Sequence, residues 1–191
     1  MMILTDKKPR VNVEGILTAE EIHEIEHHIG HYPYPRAASL DALKCVQRRN
    51  GWVDDAQMNA IAQLLSMSVA DLEGVATFYN RIYRHPVGRH VILLCDSIAC
   101  FLMGAETLAE AFQRELGIQY GQTTPDGRFT LLPICCLGNC DKGPTLMIDE
   151  DTHGLVEVTS IKQLLEKYVC ILNQNQFMAT VIRKLIRSLG V

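Results

Sequence analysis

Apolar residues in the first half of the chain recur at the spacing of short helices. Thr18 and Glu21 form a capping-box pattern, and isoleucines then recur every three or four residues until Gly30. The same signals predict three more helices, which begin at Ser39, at Asp54 or Asp55, and at Ser68. Four short helices with brief connections are typical of a small antiparallel bundle.

From residue 90 onward the pattern changes to alternating strands and helices. We predict strands over residues 91–94 and 129–134 on either side of an amphipathic helix over residues 106–116. This βαβ unit makes the two strands parallel, so their carboxyl ends lie at the same edge of the sheet. The remaining predicted elements are strands over 145–148 and 155–158, joined by a turn, and a helix over 160–168.

The order β-α-β-β-β-α is similar to a thioredoxin-like layer, and Pro86 and Gly88 indicate a boundary before it. We therefore predict a protein of the α+β or α/β class with three parts. A small helical bundle occupies residues 1–86, a thioredoxin-like domain residues 87–170, and a C-terminal tail with helical apolar spacing residues 171–191.

The composition is that of an ordinary globular protein, because 48% of the 191 residues are hydrophobic and 21% are charged. No apolar stretch is long enough to span a bilayer, and the first residues lack the features of a secretory signal, so we expect a cytoplasmic protein. Residues 91–170 carry 5 Lys and Arg against 11 Asp and Glu. This acidic balance argues against a nucleic-acid partner.

The seven cysteines are the unusual feature of the composition. An odd number in a chain without a secretory signal disfavours a disulfide framework and favours metal or redox chemistry. Cys95 and Cys100 form C-x4-C at the end of the first strand, and Cys136 and Cys140 form C-x3-C after the second. Parallel strands bring these loops together, so four thiolates converge on either a zinc ion or an iron–sulfur cluster. The wide spacings favour the cluster.

The remaining cysteines divide into two groups. Cys135 is ambiguous, because the spacing also allows it to pair with Cys140, although consecutive side chains at a strand end point in opposite directions. Cys45 and Cys170 are predicted to be buried apolar thiols. The thioredoxin-type C-x-x-C redox pair is absent from the sequence, which weakens a thiol–disulfide exchange function.

A second candidate metal motif lies in the first helix. His23, Glu24 and His27 form H-E-x-x-H, the pattern of a zinc hydrolase in which two imidazoles bind the metal and the carboxylate activates water. The extended form of the motif fails at Pro33, so no third ligand is in register. A solvated helix face is the favoured interpretation.

Taken together, these segments resemble a known family. The chain is similar to the NuoE-type [2Fe–2S] subunit of NADH:quinone oxidoreductase, respiratory complex I, and to its relatives in NAD-linked hydrogenases and formate dehydrogenases. The resemblance covers about residues 17–168. The matching segments are residues 35–38, 51–52 and 73–79, the pair Cys95 and Cys100, and residues 136–141 and 143–144.

The resemblance implies a function that the residues alone leave open. It implies one [2Fe–2S] cluster held by Cys95, Cys100, Cys136 and Cys140, which excludes Cys135. It also implies that the cluster accepts one electron from FMN during NADH oxidation, with FMN and NADH bound by a NuoF-type partner and not by this chain. The expected setting is the peripheral arm of a membrane-bound complex at the inner face of the plasma membrane, without a membrane span in this chain.

Overall fold

The computed structural model describes residues 13–168. The chain divides into two compact units between Val87 and Gly88. Cys170 and the predicted tail over residues 171–191 lie outside the described residues.

The first unit is helical. Among residues 13–87 the structure has helices α1 (Ala19–Gly30), α2 (Ser39–Asn50), α3 (Asp55–Leu64) and α4 (Val69–Phe78), with 3-10 turns at Val13–Gly15 and Pro35–Ala38. The four helices share one buried apolar core, to which Ile25, Leu43, Met58, Ile61 and Leu72 contribute fully buried side chains. The predicted four-helix organisation is therefore confirmed for this region.

The helix boundaries follow from local hydrogen bonds that the sequence pattern predicts. The Glu21 backbone N–H donates to the Thr18 hydroxyl, and the Thr18 backbone N–H donates to the Glu21 carboxylate at 2.8 Å. Asp54 forms an equivalent capping box at the start of α3. Gly51 ends α2 with φ of +81°, a left-handed conformation that glycine adopts without steric cost.

The second unit is a sheet with helices. Its described residues form a four-stranded sheet in the order β2-β1-β3-β4. The strands are β1 (His90–Cys95), β2 (Phe129–Ile134), β3 (Leu146–Ile148) and β4 (Asp151–His153), and the helices are α5 (Ile98–Leu102), α6 (Ala105–Leu116) and α7 (residues 161–168). Strands β1 and β2 are parallel, as predicted, while β3 is antiparallel to both β1 and β4. The core contains Ile92, Leu94, Phe112, Leu131, Ile148 and Leu164.

The predicted strand over residues 155–158 is wrong. Strand β4 lies instead at Asp151–His153, inside the predicted turn, because the chain reverses directly after Ile148. The Asp149 carboxylate accepts hydrogen bonds from the Val91 backbone N–H and the His90 imidazole, which fixes this reversal against β1. Leu155 has φ of +53° and is exposed, so it does not continue a strand.

The prediction also missed α5, a five-residue helix between β1 and α6. This helix is too short to show a helical period in the sequence. It follows Ser97 and contains Cys100. Within residues 13–168, no helix has both the length and the apolar character required to cross a membrane.

Candidate metal centre

The sheet topology places the two cysteine loops side by side. Cys95 is the last residue of β1 and pairs in register with Ile134, the last residue of β2. Cys136 therefore follows the neighbouring strand by two residues, and Cys140 begins a 3-10 turn over Cys140–Lys142. Cys100 lies in α5, one short turn beyond β1. The right-handed βαβ crossover thus brings Cys95 and Cys136, about 40 residues apart in sequence, to neighbouring strand ends.

The four candidate thiols form a connected group that is half buried and half exposed. Cys95 and Cys100 are buried, whereas Cys136 and Cys140 are exposed. The sulfur atoms of Cys136 and Cys140 are 3.8 Å apart. Two thiolates that share one tetrahedral metal with bonds of about 2.3 Å are separated by roughly 3.8 Å, so this pair already has the spacing of shared ligands.

The four thiols interact with one another across the two loops. Cys95 interacts with Cys100 on the buried side, and Cys136 interacts with both Cys140 and Cys95. Among residues 13–168, no three or more Cys, His, Asp or Glu side chains are placed to hold one metal ion. Four clustered thiolates are soft donors that suit either an iron–sulfur cluster or a zinc ion.

Two glycines lie next to the thiols. The Gly138 backbone N–H donates to the Cys136 sulfur at 3.4 Å, with Gly138 at φ of +74°. A Cβ atom on Gly143 would lie 2.9 Å from the Met103 sulfur and 3.6 Å from the Cys100 sulfur. Gly143 therefore keeps a side chain away from the Cys100 thiol, and the soft donor set fits an iron–sulfur cluster.

The two sides of the site differ electrostatically. The Gly138 backbone N–H, followed by the Cys140 thiol, lowers the pKa of Cys136. Burial, followed by the neighbouring Cys95 thiol, raises the pKa of Cys100, although the Thr145 backbone N–H opposes this effect. Metals bind thiolates, and of these two thiols the exposed Cys136 is the more readily ionised.

Thr145 is a supporting residue that the sequence analysis did not identify. Its backbone carbonyl accepts from the Cys95 N–H at 3.1 Å, and its hydroxyl donates to the Lys142 carbonyl at 2.9 Å. The Asn139 side-chain amide donates to the same hydroxyl at 3.2 Å. Through these hydrogen bonds, the buried Thr145 links the end of β1, at Cys95, to the loop that carries Cys140. Only its position after the Gly143-Pro144 pair, ahead of β3, gave a sequence signal.

Replacing Thr145 by valine should loosen this support. The substitution preserves shape but removes the hydroxyl, and we expect the free energy of unfolding to fall by about 1 kcal/mol, the net value of a buried hydrogen bond. Thr145→Ser keeps the hydroxyl and serves as the control. Thermal denaturation of the loaded protein tests the difference, and equal midpoints for the two variants would contradict this role.

The two described cysteines outside the proposed ligand set, Cys45 and Cys135, occupy different environments. The Cys45 thiol is buried in the helical unit and donates to the Glu24 carboxylate at 3.2 Å. Burial, followed by that hydrogen bond, raises its pKa to about 12, so it remains a neutral thiol. Cys135 is exposed, and its backbone carbonyl faces the Cys95 sulfur at 3.7 Å.

The structure does not build a hydrolase site from the H-E-x-x-H motif. Glu24 is engaged by Arg48 at 3.0 Å and by Cys45, so its carboxylate serves as a link between α1 and α2. Its pKa is lowered, first by the Cys45 hydrogen bond and then by that of Arg48. No third ligand joins His23 and His27 within residues 13–168.

Comparisons with known proteins show which family the sequence matches. A family model described as thioredoxin-like [2Fe–2S] ferredoxin matches residues 25–169. The E-type subunit of the NADH-quinone oxidoreductase of Pseudomonas aeruginosa is 55% identical over 154 residues, which are 81% of this chain and 93% of that protein. Its namesake from Escherichia coli is 56% identical over 152 residues, 80% of this chain and 92% of that one.

A solved structure, that of the air-oxidized NAD⁺-reducing [NiFe]-hydrogenase, shares the fold with a TM-score of 0.59. The match has 22% identity, covers 73% of this chain and spans about a quarter of the hydrogenase chain, 24%. The predicted thioredoxin-like fold is thus confirmed. On the strength of the family match and of relatives more than half identical, the chain belongs to the thioredoxin-like [2Fe–2S] ferredoxin family and, within it, to the E-type subunits of NADH-quinone oxidoreductase.

Proposed function

We propose that Cys95, Cys100, Cys136 and Cys140 hold one [2Fe–2S] cluster, and that the chain is the subunit of an NADH:quinone oxidoreductase that accepts one electron from FMN during NADH oxidation. The single observation that carries this proposal is the clustering of the four thiols at one edge of the sheet, with the exposed sulfur atoms of Cys136 and Cys140 3.8 Å apart. The chain contributes redox chemistry only as part of the larger enzyme.

The protein's own groups adjust the charge at this site. When bound, a [2Fe–2S] cluster supplies a one-electron redox couple. The backbone N–H groups of Gly138 and Thr145 are directed at the sulfurs of Cys136 and Cys100, and they stabilise negative charge there. Burial of Cys95 and Cys100 excludes water from one side, while the exposed pair leaves the other side open to an electron donor.

The surface next to the site supports a protein partner. Helix α5 carries Cys100 inward and exposes three large apolar side chains at the spacing of one helical face, Ile98, Phe101 and Leu102. The exposed fraction of Leu102 is 76%. An apolar patch beside a redox site is typical of a docking surface, and we assign it to the subunit that carries FMN and binds NADH, of the NuoF type.

The curated relatives favour this assembly over the alternative diaphorase role. The relatives at 55% and 56% identity are subunits of NADH-quinone oxidoreductase, whereas the hydrogenase likeness at 22% identity shows the fold alone. We accordingly infer a place among the peripheral-arm subunits, at the cytoplasmic face of the plasma membrane. In this assembly, FMN and NADH bind to the partner subunit and not to this chain.

The experiment combines this chain with the FMN-carrying subunit of the same organism. We expect NADH to reduce the cluster, seen as bleaching of its visible absorbance and a paramagnetic signal, when the partner is present. The chain alone with NADH is the control and should show no reduction. Reduction by NADH without the partner, or none with it, would contradict the proposal.

A charge placed in the α5 patch should separate docking from cluster binding in the same assay. Leu102→Asp buries a carboxylate at the proposed interface, so we expect at least about a tenfold loss of affinity for the FMN subunit. Val69→Asp, at an exposed apolar position of the helical unit, is the matched control. If Leu102→Asp keeps its iron and still binds the partner fully, the α5 patch is not the interface.

A further inference from the structure

The histidines of α1 have an arrangement that the H-E-x-x-H motif does not explain. The Nε2 atoms of His27 and His31 face each other at 3.4 Å, four residues apart on one side of the helix. Their ring centroids are 4.6 Å apart, with the ring planes at 77°. The close pair is therefore His27 with His31, shifted one turn from the pair that the motif names.

The distance between the two nitrogens is that of a chelating pair. One tetrahedral metal with bonds of about 2.0–2.1 Å to each imidazole separates the two nitrogens by roughly 3.3–3.4 Å. The observed separation between the two Nε2 atoms is about 0.4 Å longer than a typical direct N–H···N hydrogen bond. Both rings are exposed, so an ion from solvent reaches the nitrogens without any rearrangement of the core.

The position on the helix also favours a cation. His27 lies in the last turn of α1 and His31 is its C-cap residue. The carboxyl end of a helix carries the negative end of the helix dipole, which attracts positive charge over the last turn. The neighbouring His28 takes no part in the pair, because its Nε2 lies 3.8 Å from the Glu24 carboxylate.

We propose that His27 and His31 form a surface site for a first-row divalent transition ion such as Ni²⁺ or Zn²⁺. Neutral imidazoles are suitable ligands for these ions. Since residues 13–168 supply no third ligand there, water fills the other coordination positions. The site is independent of the iron–sulfur site and of the proposed electron transfer.

Calorimetric titration of the untagged, cluster-loaded full chain with Ni²⁺ tests the site. We expect one ion per chain and no change in cluster absorbance, which shows that the cysteines are not involved. His27→Ala and His31→Ala each remove one arm of the chelate and should weaken binding by at least about tenfold. His23→Ala and His28→Ala, on the same helix, are the matched controls and should bind Ni²⁺ as the unmodified chain does.

Two results would overturn the site. The double variant His27→Ala with His31→Ala could bind Ni²⁺ as tightly as the unmodified chain, which would place the ion elsewhere. Alternatively, His23→Ala could lose as much affinity as His27→Ala, which would restore the H-E-x-x-H pair. Because all four histidines tested lie on or next to one helix, circular dichroism of each variant establishes that the loss of binding is not a loss of α1.

Discussion

Replacing Cys136 by alanine is expected to abolish the cluster, with loss of essentially all iron, sulfide and visible absorbance. The Cys136 thiol interacts with both Cys140, at 3.8 Å, and Cys95, so its removal breaks the exposed pair and its link to the buried one. It also removes the thiol that the Gly138 N–H stabilises as an anion. We expect the unmodified protein to carry about two irons and two sulfides per chain.

Cys135→Ala is the matched control for this loss. The two residues are adjacent, but Cys135 faces Cys95 through its backbone carbonyl, which alanine retains. We expect this variant to keep its iron, its absorbance and its paramagnetic signal on reduction. Iron retained in Cys136→Ala, or lost in Cys135→Ala, would show that the ligand set is wrong. A colourless unmodified protein with one zinc per chain would instead support a structural zinc module.

The features that the sequence predicted well are those with local signals. The capping box of Thr18 and Glu21 and the end of α2 at Gly51 depend on residues within one turn of each other. The parallel pairing of β1 with β2 followed from the crossover rule, and it was enough to bring Cys95 beside the Cys136 loop. A correct topology therefore sufficed to propose the site.

The features that the sequence missed depend on hydrogen bonds that leave no periodic pattern in the sequence. Strand β4 is built from the polar residues Asp151–His153, which pair with β3 through their backbone and show no apolar alternation. The support from Thr145 arises from hydrogen bonds to Cys95, Asn139 and Lys142, none of which leaves a spacing pattern. Such contacts become visible only once the loops are placed in space.

Gly154 is the second position where we expect a large effect, because it lies against the loop that carries Cys140. A Cβ atom there would lie 2.7 Å from the Asn139 side-chain nitrogen, 2.7 Å from the Lys142 Cβ and 2.9 Å from the Lys142 carbonyl oxygen. The next residue, Leu155, donates its backbone N–H to that same carbonyl at 2.7 Å. The close approach holds the Cys140–Lys142 turn in place.

Gly154→Ala must therefore displace the Cys140 turn, since two of the three contacts are to atoms at or next to the Lys142 backbone. Overpacking of this kind costs about 2–3 kcal/mol of unfolding free energy. The displacement also moves a candidate ligand, so the visible absorbance should decay faster in the presence of an iron chelator. Gly74→Ala, where a Cβ meets nothing within 4 Å, is the control and should raise stability by about 0.5–1 kcal/mol. If the visible absorbance decays at the same rate in both variants, the close approach of Gly154 to Lys142 does not position Cys140.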